Sequence, residues 1–149
     1  IIEGGLSKIG LESTIINLTG KPEILRIGSI DINKLSKALK KKLLHRKKTY
    51  MKVPGKNRLH YSPGIPLRMN CKEASLDEAF ILVKKRNNSN KNFFYLSKNK
   101  NLKEAARNLY SVLRMIKKKG YKKIAVEKIE NKGIGLAIND RLQKASSKK

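Results

Sequence analysis

The sequence predicts an α/β fold, and the evidence is clearest in the second half of the chain. Residues 79–84 (AFILVK) and 93–96 (FFYL) are apolar runs of strand length, and an amphipathic pattern of helical period follows from Asn101. Residues 122–127 (KKIAVE) predict another strand, and a second helical pattern follows. Strand, helix, strand and helix in this order favour a right-handed βαβ arrangement with a partly parallel sheet. The length of 149 residues allows one ordinary domain or two small ones.

The first third of the chain predicts two strands and a helix. Residues 14–18 (TIINL) and 23–27 (EILRI) are rich in β-branched and apolar residues, and a turn signal (GKP) at 20–22 separates them. Asp31 is expected to cap a helix that runs to about Leu44. The helical spacing rests on Ile32, Leu35, Leu39 and Leu43.

Residues 45–66 predict a loop or linker, because no hydrophobic period survives there. Three of the four prolines of the chain fall in this stretch, together with Gly55 and Gly64. Structureless stretches of about 20 residues are uncommon inside compact domains and are usually functional or disordered. We therefore expect the boundary between two domains here.

The two C-terminal helices have recognisable starts. The first presents seven apolar positions on one face, ends before Gly120 and begins with Asn101 and Glu104 at the spacing of a capping box. The second opens on the segment GIG at 133–135, and its inward positions are Ile138, Leu142 and Ala145. The Lys- and Asn-rich stretch 84–92 is expected to be a surface loop.

The net charge of +25 comes from 36 Lys plus Arg against 11 Asp plus Glu. A charge of this size suggests a polyanionic partner such as nucleic acid. Lys outnumbers Arg 28 to 8, however, and Lys, Asn and Ile share A/T-rich codons, so codon bias explains the same composition. Both explanations stay open at this point.

The composition also argues against several classes of protein. One cysteine, Cys71, and two histidines allow no disulfide within the chain and argue against a zinc site. No apolar run approaches the ~18 uncharged residues that cross a bilayer, so we expect no membrane partner. No secretory segment opens the sequence, and we expect a cytoplasmic location. Because the chain opens on Ile1, we expect a piece of a longer protein whose beginning is missing.

Three stretches could carry chemistry, and each also has a simpler explanation. In residues 10–17 (GLESTIIN) a glycine could let the backbone approach a ligand, and the Ser13 and Thr14 hydroxyls could bind a carboxylate or phosphate, or merely begin a strand. Arg26 ends an apolar strand and could clamp a phosphate or form a surface ion pair. Residues 54–63 (PGKNRLHYSP) could form a lid over an anionic ligand or a solvated basic linker.

Taken together, these stretches resemble the L-threonylcarbamoyladenylate synthases in their long, two-domain form. The motifs that carry the resemblance are E-S-T-I at 12–15, I-L-R-x-G at 24–28 and H-Y-S-P at 60–63. The segments EAARNLY at 104–110 and GIGLAINDRLQKA at 133–145 are similar to signatures of the second domain of that family. The resemblance covers nearly the whole chain.

The resemblance implies a domain organisation. Residues 1–44 would be the end of a YrdC-type α/β catalytic domain, and 45–66 an interdomain linker that folds over the active site. Residues 67–149 would then be a small βαβ, Rossmann-like C-terminal domain.

The resemblance also implies an activity. Enzymes of this family make threonylcarbamoyl-AMP from L-threonine, bicarbonate and ATP, with Mg²⁺ and with release of pyrophosphate. The product supplies the threonylcarbamoyl group that downstream tRNA-modifying proteins place on an adenosine of tRNA. Because the substrates are small, we expect direct binding of tRNA to be weak at most.

Residue roles follow from the resemblance only where a motif matches. Ser13 would bind L-threonine, and Thr14 would support that pocket. Arg26 would bind the phosphates of ATP, and Tyr61 would contact ATP with His60 beside it. The matching motifs identify no catalytic nucleophile and no metal ligand.

Two departures from the family pattern matter. Ile27 stands where many relatives have proline, so we expect a local change of turn. The Lys-x-Arg and Ser-x-Asn motifs of the family's nucleotide pocket do not occur in matching context, so we expect the chain to be inactive alone. The alternative is a basic RNA-binding or ribosome-associated module without catalysis, which explains the charge and leaves the motifs unexplained.

Overall fold

The computed structural model describes residues 2, 4–5, 7–45, 53–54, 61–87 and 90–146. The chain divides into two compact units. Unit 1 is Ile1–Leu11 with Pro63–Ile129, and unit 2 is Glu12–Ser62 with Glu130–Lys149. The predicted domain boundaries at 44 and 66 stay a prediction, and most of the predicted linker lies outside the described residues.

The described residues form six strands and three helices. In chain order they are β1 (Ile15–Asn17), β2 (Glu23–Arg26), α1 (Ile32–Leu39), β3 (Leu67–Cys71), β4 (Ala79–Lys84), β5 (Phe93–Ser97), α2 (Leu102–Lys118), β6 (Ile124–Glu127) and α3 (Ile134–Ser146). No helix among them is long and apolar enough to cross a membrane. The sequence analysis predicts all of these elements except β3, a five-residue strand in which Leu67, Met69 and Cys71 alternate with Arg68 and Asn70.

Unit 1 is built on a sheet with the strand order β3-β6-β4-β5, in which each neighbouring pair is parallel. The inner strand β4 has five of its six residues buried, as expected for a parallel strand inside a covered sheet. Helix α2 packs against β4 and β5 through its apolar face. Phe80 and Leu82 of β4 cluster with Ala125 of the adjacent β6 and Cys71 of β3. The predicted α/β class is confirmed, and this sheet is parallel throughout.

The start of α2 differs in part from the predicted capping box. Asn101 Oδ1 accepts hydrogen bonds from the backbone N–H groups of Lys103 and Glu104, at 2.9 and 3.2 Å, as predicted. The Glu104 carboxylate accepts instead from the Ser97 hydroxyl at 2.6 Å and from the Lys98 N–H at 3.3 Å. The Ser97 oxygen in turn accepts the Asn101 N–H at 2.9 Å. Ser97, at the end of β5, therefore accepts the Asn101 N–H in place of Glu104, which would accept it in a capping box.

Gly10 makes a close approach to protein backbone, whereas the sequence suggested an approach to a ligand. Its φ is +71°, and a Cβ there would lie 2.7 Å from the Arg107 Cα and 2.9 Å from the Arg107 carbonyl oxygen on α2. Only glycine fits such a contact without a shift of the backbone. The contact with α2 accounts for a glycine at this position without a ligand.

In unit 2, α1 ends five residues before the predicted position. Asp31 caps its start as predicted, and accepts from the Asn33 and Lys34 N–H groups. Lys40 takes a left-handed conformation with φ of 50° and ends the helix. Leu44, the predicted last residue, instead runs beside β2, where its carbonyl accepts from the Ile24 N–H at 2.7 Å. The added backbone pairing to the edge of β2 outweighs the helical pattern.

The remainder of unit 2 consists of a short sheet and the last helix. Strands β1 and β2 pair antiparallel, with an irregularity between Ile15 and Ile16. Helix α3 buries Ile138, Leu142 and Ala145, as predicted. It also buries Arg141, whose side chain is 1% exposed. A buried arginine on the apolar face of a helix needs partners, and these lie in the candidate site.

Candidate functional site

Two of the predicted site residues, Ser13 and Arg26, are in direct contact. Arg26 ends β2, and Ser13 precedes β1 on the adjacent strand, so the antiparallel pairing brings them together. Arg26 Nε donates to the Ser13 carbonyl at 2.9 Å, and Nη2 donates to Ser13 Oγ at 3.0 Å. Nη1 donates to the Pro54 carbonyl at 3.1 Å. In the described part of the chain these bonds use three of the five guanidinium N–H groups, which leaves two for an anionic ligand.

Thr14 supports the same corner from the inside. Its hydroxyl oxygen accepts the Gly28 N–H at 3.1 Å. Gly28 is buried, and a Cβ at that position would lie 2.6 Å from Thr14 Oγ1 and 2.7 Å from the Ser13 carbonyl carbon. The close approach of these two segments thus depends on the absence of a side chain at 28. The half-buried Thr14 acts on the backbone, while Ser13 is exposed and can reach a ligand.

Arg141 of α3 lies at the centre of a polar network in this unit. Its Nε and Nη2 both donate to Glu12 Oε2, each at 3.0 Å. Its Nη1 donates to the Ile27 carbonyl at 2.8 Å and to Asp140 Oδ2 at 2.7 Å. Lys144 donates to the same Asp140 oxygen at 2.8 Å. Two positive and two negative side chains therefore balance within the network.

Tyr61 is buried against this network. The Arg141 guanidinium carbon lies 5.2 Å from the centroid of the Tyr61 ring, and Lys144 Nζ lies 6.0 Å from it. Both distances suit cation–π contact. Burial raises the pKa of Tyr61; Arg141 opposes this rise, the Glu12 carboxylate adds to it, and Arg26 opposes it weakly. Tyr61 therefore packs on the network around Arg141.

Glu12 stays ionised at neutral pH. Burial alone would raise its pKa, but a hydrogen bond from backbone and the charge of Arg141 outweigh the burial, so the pKa of Glu12 is lowered. For Arg141, burial disfavours the charged form, but the facing Tyr61, Glu12 and Asp140 outweigh it and raise the pKa. Glu12 and Arg141 thus both carry their charges at neutral pH.

The described residues do not form a site for a metal ion. No group of three or more His, Cys, Asp or Glu side chains within them has the geometry to hold one. Glu12 and Asp140, the two acids of the network, are already paired with Arg141. The Mg²⁺ implied by the resemblance therefore finds no ligand set in this part of the chain, and no chemistry is assigned to it here.

Four of the five predicted site residues fall among the described residues, and all four lie in unit 2. Ser13 and Arg26 touch each other, Thr14 holds the neighbouring turn, and Tyr61 packs on Arg141. His60 lies outside the described residues. The sequence analysis assigned no role to Glu12 or Arg141. Arg141 could have been identified from the sequence, because it stands on the apolar face of α3, three residues after Ile138.

This chain is similar to known proteins in sequence and in structure. A family model described as the threonylcarbamoyl-AMP synthase, C-terminal domain, matches residues 27–147. Two curated relatives are both named threonylcarbamoyl-AMP synthase. The Pyrococcus abyssi protein is 30% identical over 98% of this chain and 48% of its own length. The Schizosaccharomyces pombe protein is 29% identical over 99% of this chain and 45% of its own length. The chain thus spans about half the length of these relatives.

Solved structures give the same result. The crystal structure of P. abyssi Sua5 complexed with L-threonine superimposes with a TM-score of 0.79 and 28% identity, over 97% of this chain and 48% of that one. A variant of P. abyssi Sua5, with a histidine and the adjacent tyrosine both replaced by alanine, gives a TM-score of 0.68 and 25% identity over 96% and 47%. The chain therefore belongs to the threonylcarbamoyl-AMP synthase family and carries its C-terminal domain over residues 27–147.

Proposed function

We propose that this chain is part of an enzyme that forms L-threonylcarbamoyl-AMP from L-threonine, bicarbonate and ATP. In that reaction the carbamate oxygen of N-carboxy-threonine attacks the α-phosphorus of ATP, and pyrophosphate leaves. The product would supply the threonylcarbamoyl group for modification of a tRNA adenosine by other proteins. The location would be the cytoplasm.

The contact between Ser13 and Arg26 carries the proposal. A hydroxyl suited to the amino acid and a guanidinium suited to phosphate lie 3.0 Å apart. The two anions that must react would be held at adjacent positions by these side chains. A planar guanidinium can bind two phosphate oxygens at once with its remaining N–H groups. The relative solved with L-threonine supports threonine as the amino acid.

The chemistry needs positioning and charge, and no covalent nucleophile. A carboxylated amine and a triphosphate repel each other in water, so bringing them within reach requires fixed cations and directed donors. Arg26 supplies such a cation, and the balanced network around Arg141 supplies a rigid support next to it. Mg²⁺, if it accompanies ATP, would need ligands other than the described residues of this chain.

Tyr61 and His60 are proposed to contact ATP. Tyr61 presents an aromatic ring already packed on Arg141, which fixes its orientation. The variant of the P. abyssi protein removes a histidine and the tyrosine beside it. This chain has one adjacent His–Tyr pair, His60 and Tyr61. The proposed contact of the pair with ATP rests on the resemblance of the H-Y-S-P motif at 60–63 to the family.

The test is pyrophosphate release by the full-length protein that contains this chain, supplied with L-threonine, bicarbonate and ATP. Ser13→Ala should raise KM for threonine about 5- to 10-fold, the value of one lost hydrogen bond. Arg26→Lys should lower kcat/KM for ATP about 10- to 100-fold, because lysine keeps the charge and loses the fork. Arg114→Lys, on the exposed face of α2, is the matched control and should change neither constant.

Wild-type protein without turnover would contradict the proposed function. The alternative, an RNA-binding module, has one observation in its favour beyond net charge. Lys84, Lys85 and Arg86 line a surface cleft together with Asn87, Asn90 and Phe93. Tight, salt-resistant binding of tRNA by an inactive wild-type protein would favour that alternative. Weak binding that falls steeply with salt is expected from a codon-biased surface charge.

A further inference from the structure

The motif GIGLAINDRL in α3 marks the family by resemblance, and one of its residues has an unusual position. Arg141 has a side chain that is 1% exposed, whereas Asp140 beside it is 20% exposed. Burial of a guanidinium costs several kcal/mol of solvation unless charges and hydrogen bonds replace the water. A buried ion pair is weak evidence that Arg141 stabilises the fold, so the burial of this side chain needs another explanation.

The partners of Arg141 come from three separate segments of unit 2. One is Glu12, which directly precedes Ser13. Another is the carbonyl of Ile27, which directly follows Arg26. The third is the ring of Tyr61. Each segment thus contains or adjoins a residue proposed to bind a substrate.

The directions of the contacts make this arrangement selective for arginine. Nε and Nη2 together reach Glu12, Nη1 reaches Ile27, and the guanidinium carbon lies 5.2 Å from the centroid of the Tyr61 ring. A guanidinium can make edge and face contacts at once because it is planar. A lysine ammonium is a single point charge and cannot satisfy all three segments. The position of each segment therefore depends on the others through one rigid group.

We propose that Arg141 is a positioning residue that fixes the ligand-binding segments around Ser13, Arg26 and Tyr61 relative to one another. The proposal rests on the proposed function and deepens it. Arg141 does not need to touch a substrate. It sets the separation between the threonine side and the ATP side of the site through Glu12, Ile27 and Tyr61.

Kinetics of Arg141→Lys in the full-length protein provide the first test. The variant keeps the positive charge, and we expect kcat/KM for ATP to fall about 10- to 100-fold. KM for ATP should rise more than KM for threonine, because two of the three segments carry ATP-side residues. Arg68→Lys is the matched control: Arg68 is ion-paired with Glu78 in unit 1, and its replacement should leave both constants unchanged.

A double-mutant cycle separates positioning from a general loss of structure. If Arg141 acts through Tyr61, Arg141→Lys should cost at least 5-fold less in a Tyr61→Ala background than in the wild type. Losses that simply multiply would overturn the proposal. Should Arg141→Lys fail to fold, Glu12→Gln removes the opposite charge at the half-exposed end of the network and enters the same cycle.

Amide exchange gives a readout that does not need turnover. In Arg141→Lys, exchange should accelerate by tenfold or more in peptides that cover 12–14, 26–28 and 61–62, and Arg68→Lys should leave these peptides unchanged. Unaltered exchange there in Arg141→Lys would overturn the proposal. An inactive wild type would refute the proposed function instead, so the two failures are distinguishable.

Discussion

Unit 1 surrounds a four-stranded parallel sheet whose strand β4 is buried along five of its six residues, whereas strand β1 of unit 2 has no fully buried residue. In unit 1 the arginine of one ion pair is the exposed partner: Arg68 is 52% exposed and pairs with the buried Glu78. Unit 2 buries its central arginine and pairs it with Glu12 and Asp140. Both units bury apolar residues, but among the described residues only in unit 2 does a buried arginine join several chain segments.

The difference shows why the candidate site lies in unit 2. Apolar packing tolerates small adjustments of angle, because dispersion contacts have little directionality. Hydrogen bonds to a planar guanidinium fix both distance and direction. A site that must hold two repelling substrates at a set separation benefits from the second kind of contact.

The largest expected effect tests the apolar character of unit 1. Leu82 in β4 is fully buried within the cluster of Phe80, Cys71 and Ala125. Leu82→Ala should lower the local free energy of unfolding by about 2–5 kcal/mol, from lost burial and a residual cavity. Amide exchange of β4 and β6 measures this loss. Leu76→Ala is the matched control, since Leu76 is 77% exposed, and a similar loss there would break the argument.

A smaller effect is expected from the tight corner of unit 2. Gly28→Ala places a Cβ against the Thr14 and Ser13 backbone, with 2.7 Å to the Ser13 carbonyl carbon. The clash is relieved only if β1 shifts, which should lower the free energy of unfolding by about 1–3 kcal/mol. KM for threonine should rise with it, because Ser13 moves. Gly20→Ala, where a Cβ meets nothing within 4 Å, should change neither exchange nor KM.

The smallest effect concerns the ion pairs of unit 1. Glu78→Gln should cost about 1 kcal/mol, because water can reach half-exposed Arg68 and take over part of the contact. Asp77→Asn is the matched control: its bond to Lys123 is 3.3 Å long and both side chains are more than half exposed. A loss within 0.5 kcal/mol is expected there. Equal losses in the two variants, measured by denaturant-dependent amide exchange, would count against this ranking.

The same pair predicts a pH dependence. The hydrogen bond from Arg68 outweighs burial and lowers the pKa of Glu78 from 4.5 to about 2. The folded state therefore holds fewer protons than the unfolded state between these values. The stabilisation from Glu78 is fully present above pH 4.5 and is lost as pH falls towards 2. In Glu78→Gln, the protection of β3 and β4 should vary less with pH over this window.

The patterns of the sequence identified nearly all of the secondary structure, for local reasons. Buried parallel strands read as continuous apolar runs, and β4 was located to the residue. The caps Asp31 and Asn101 were recognisable because their side chains bond to backbone within three residues. Strand β3 was missed although Leu67, Met69 and Cys71 alternate with the exposed Arg68 and Asn70, because an alternation of only five residues is a short signal.

For the candidate site, the sequence by itself identified the residue types and the motifs in which they stand. Ser13, Thr14, Arg26 and Tyr61 were all named from short motifs, since each motif is local in the chain. The sequence also determined the composition, the helical face of α3 and the family resemblance.

Only the tertiary structure decided what those residues touch. Arg141 meets Glu12 across 129 positions of sequence and Ile27 across 114, distances over which no local pattern carries information. Leu44 does not continue the predicted helix, because its backbone forms better hydrogen bonds with β2 than with another helical turn. The physical reason is the same in both places. A buried polar group takes whatever partner the fold brings within about 3 Å, and that partner is set by chain topology rather than by neighbouring residues.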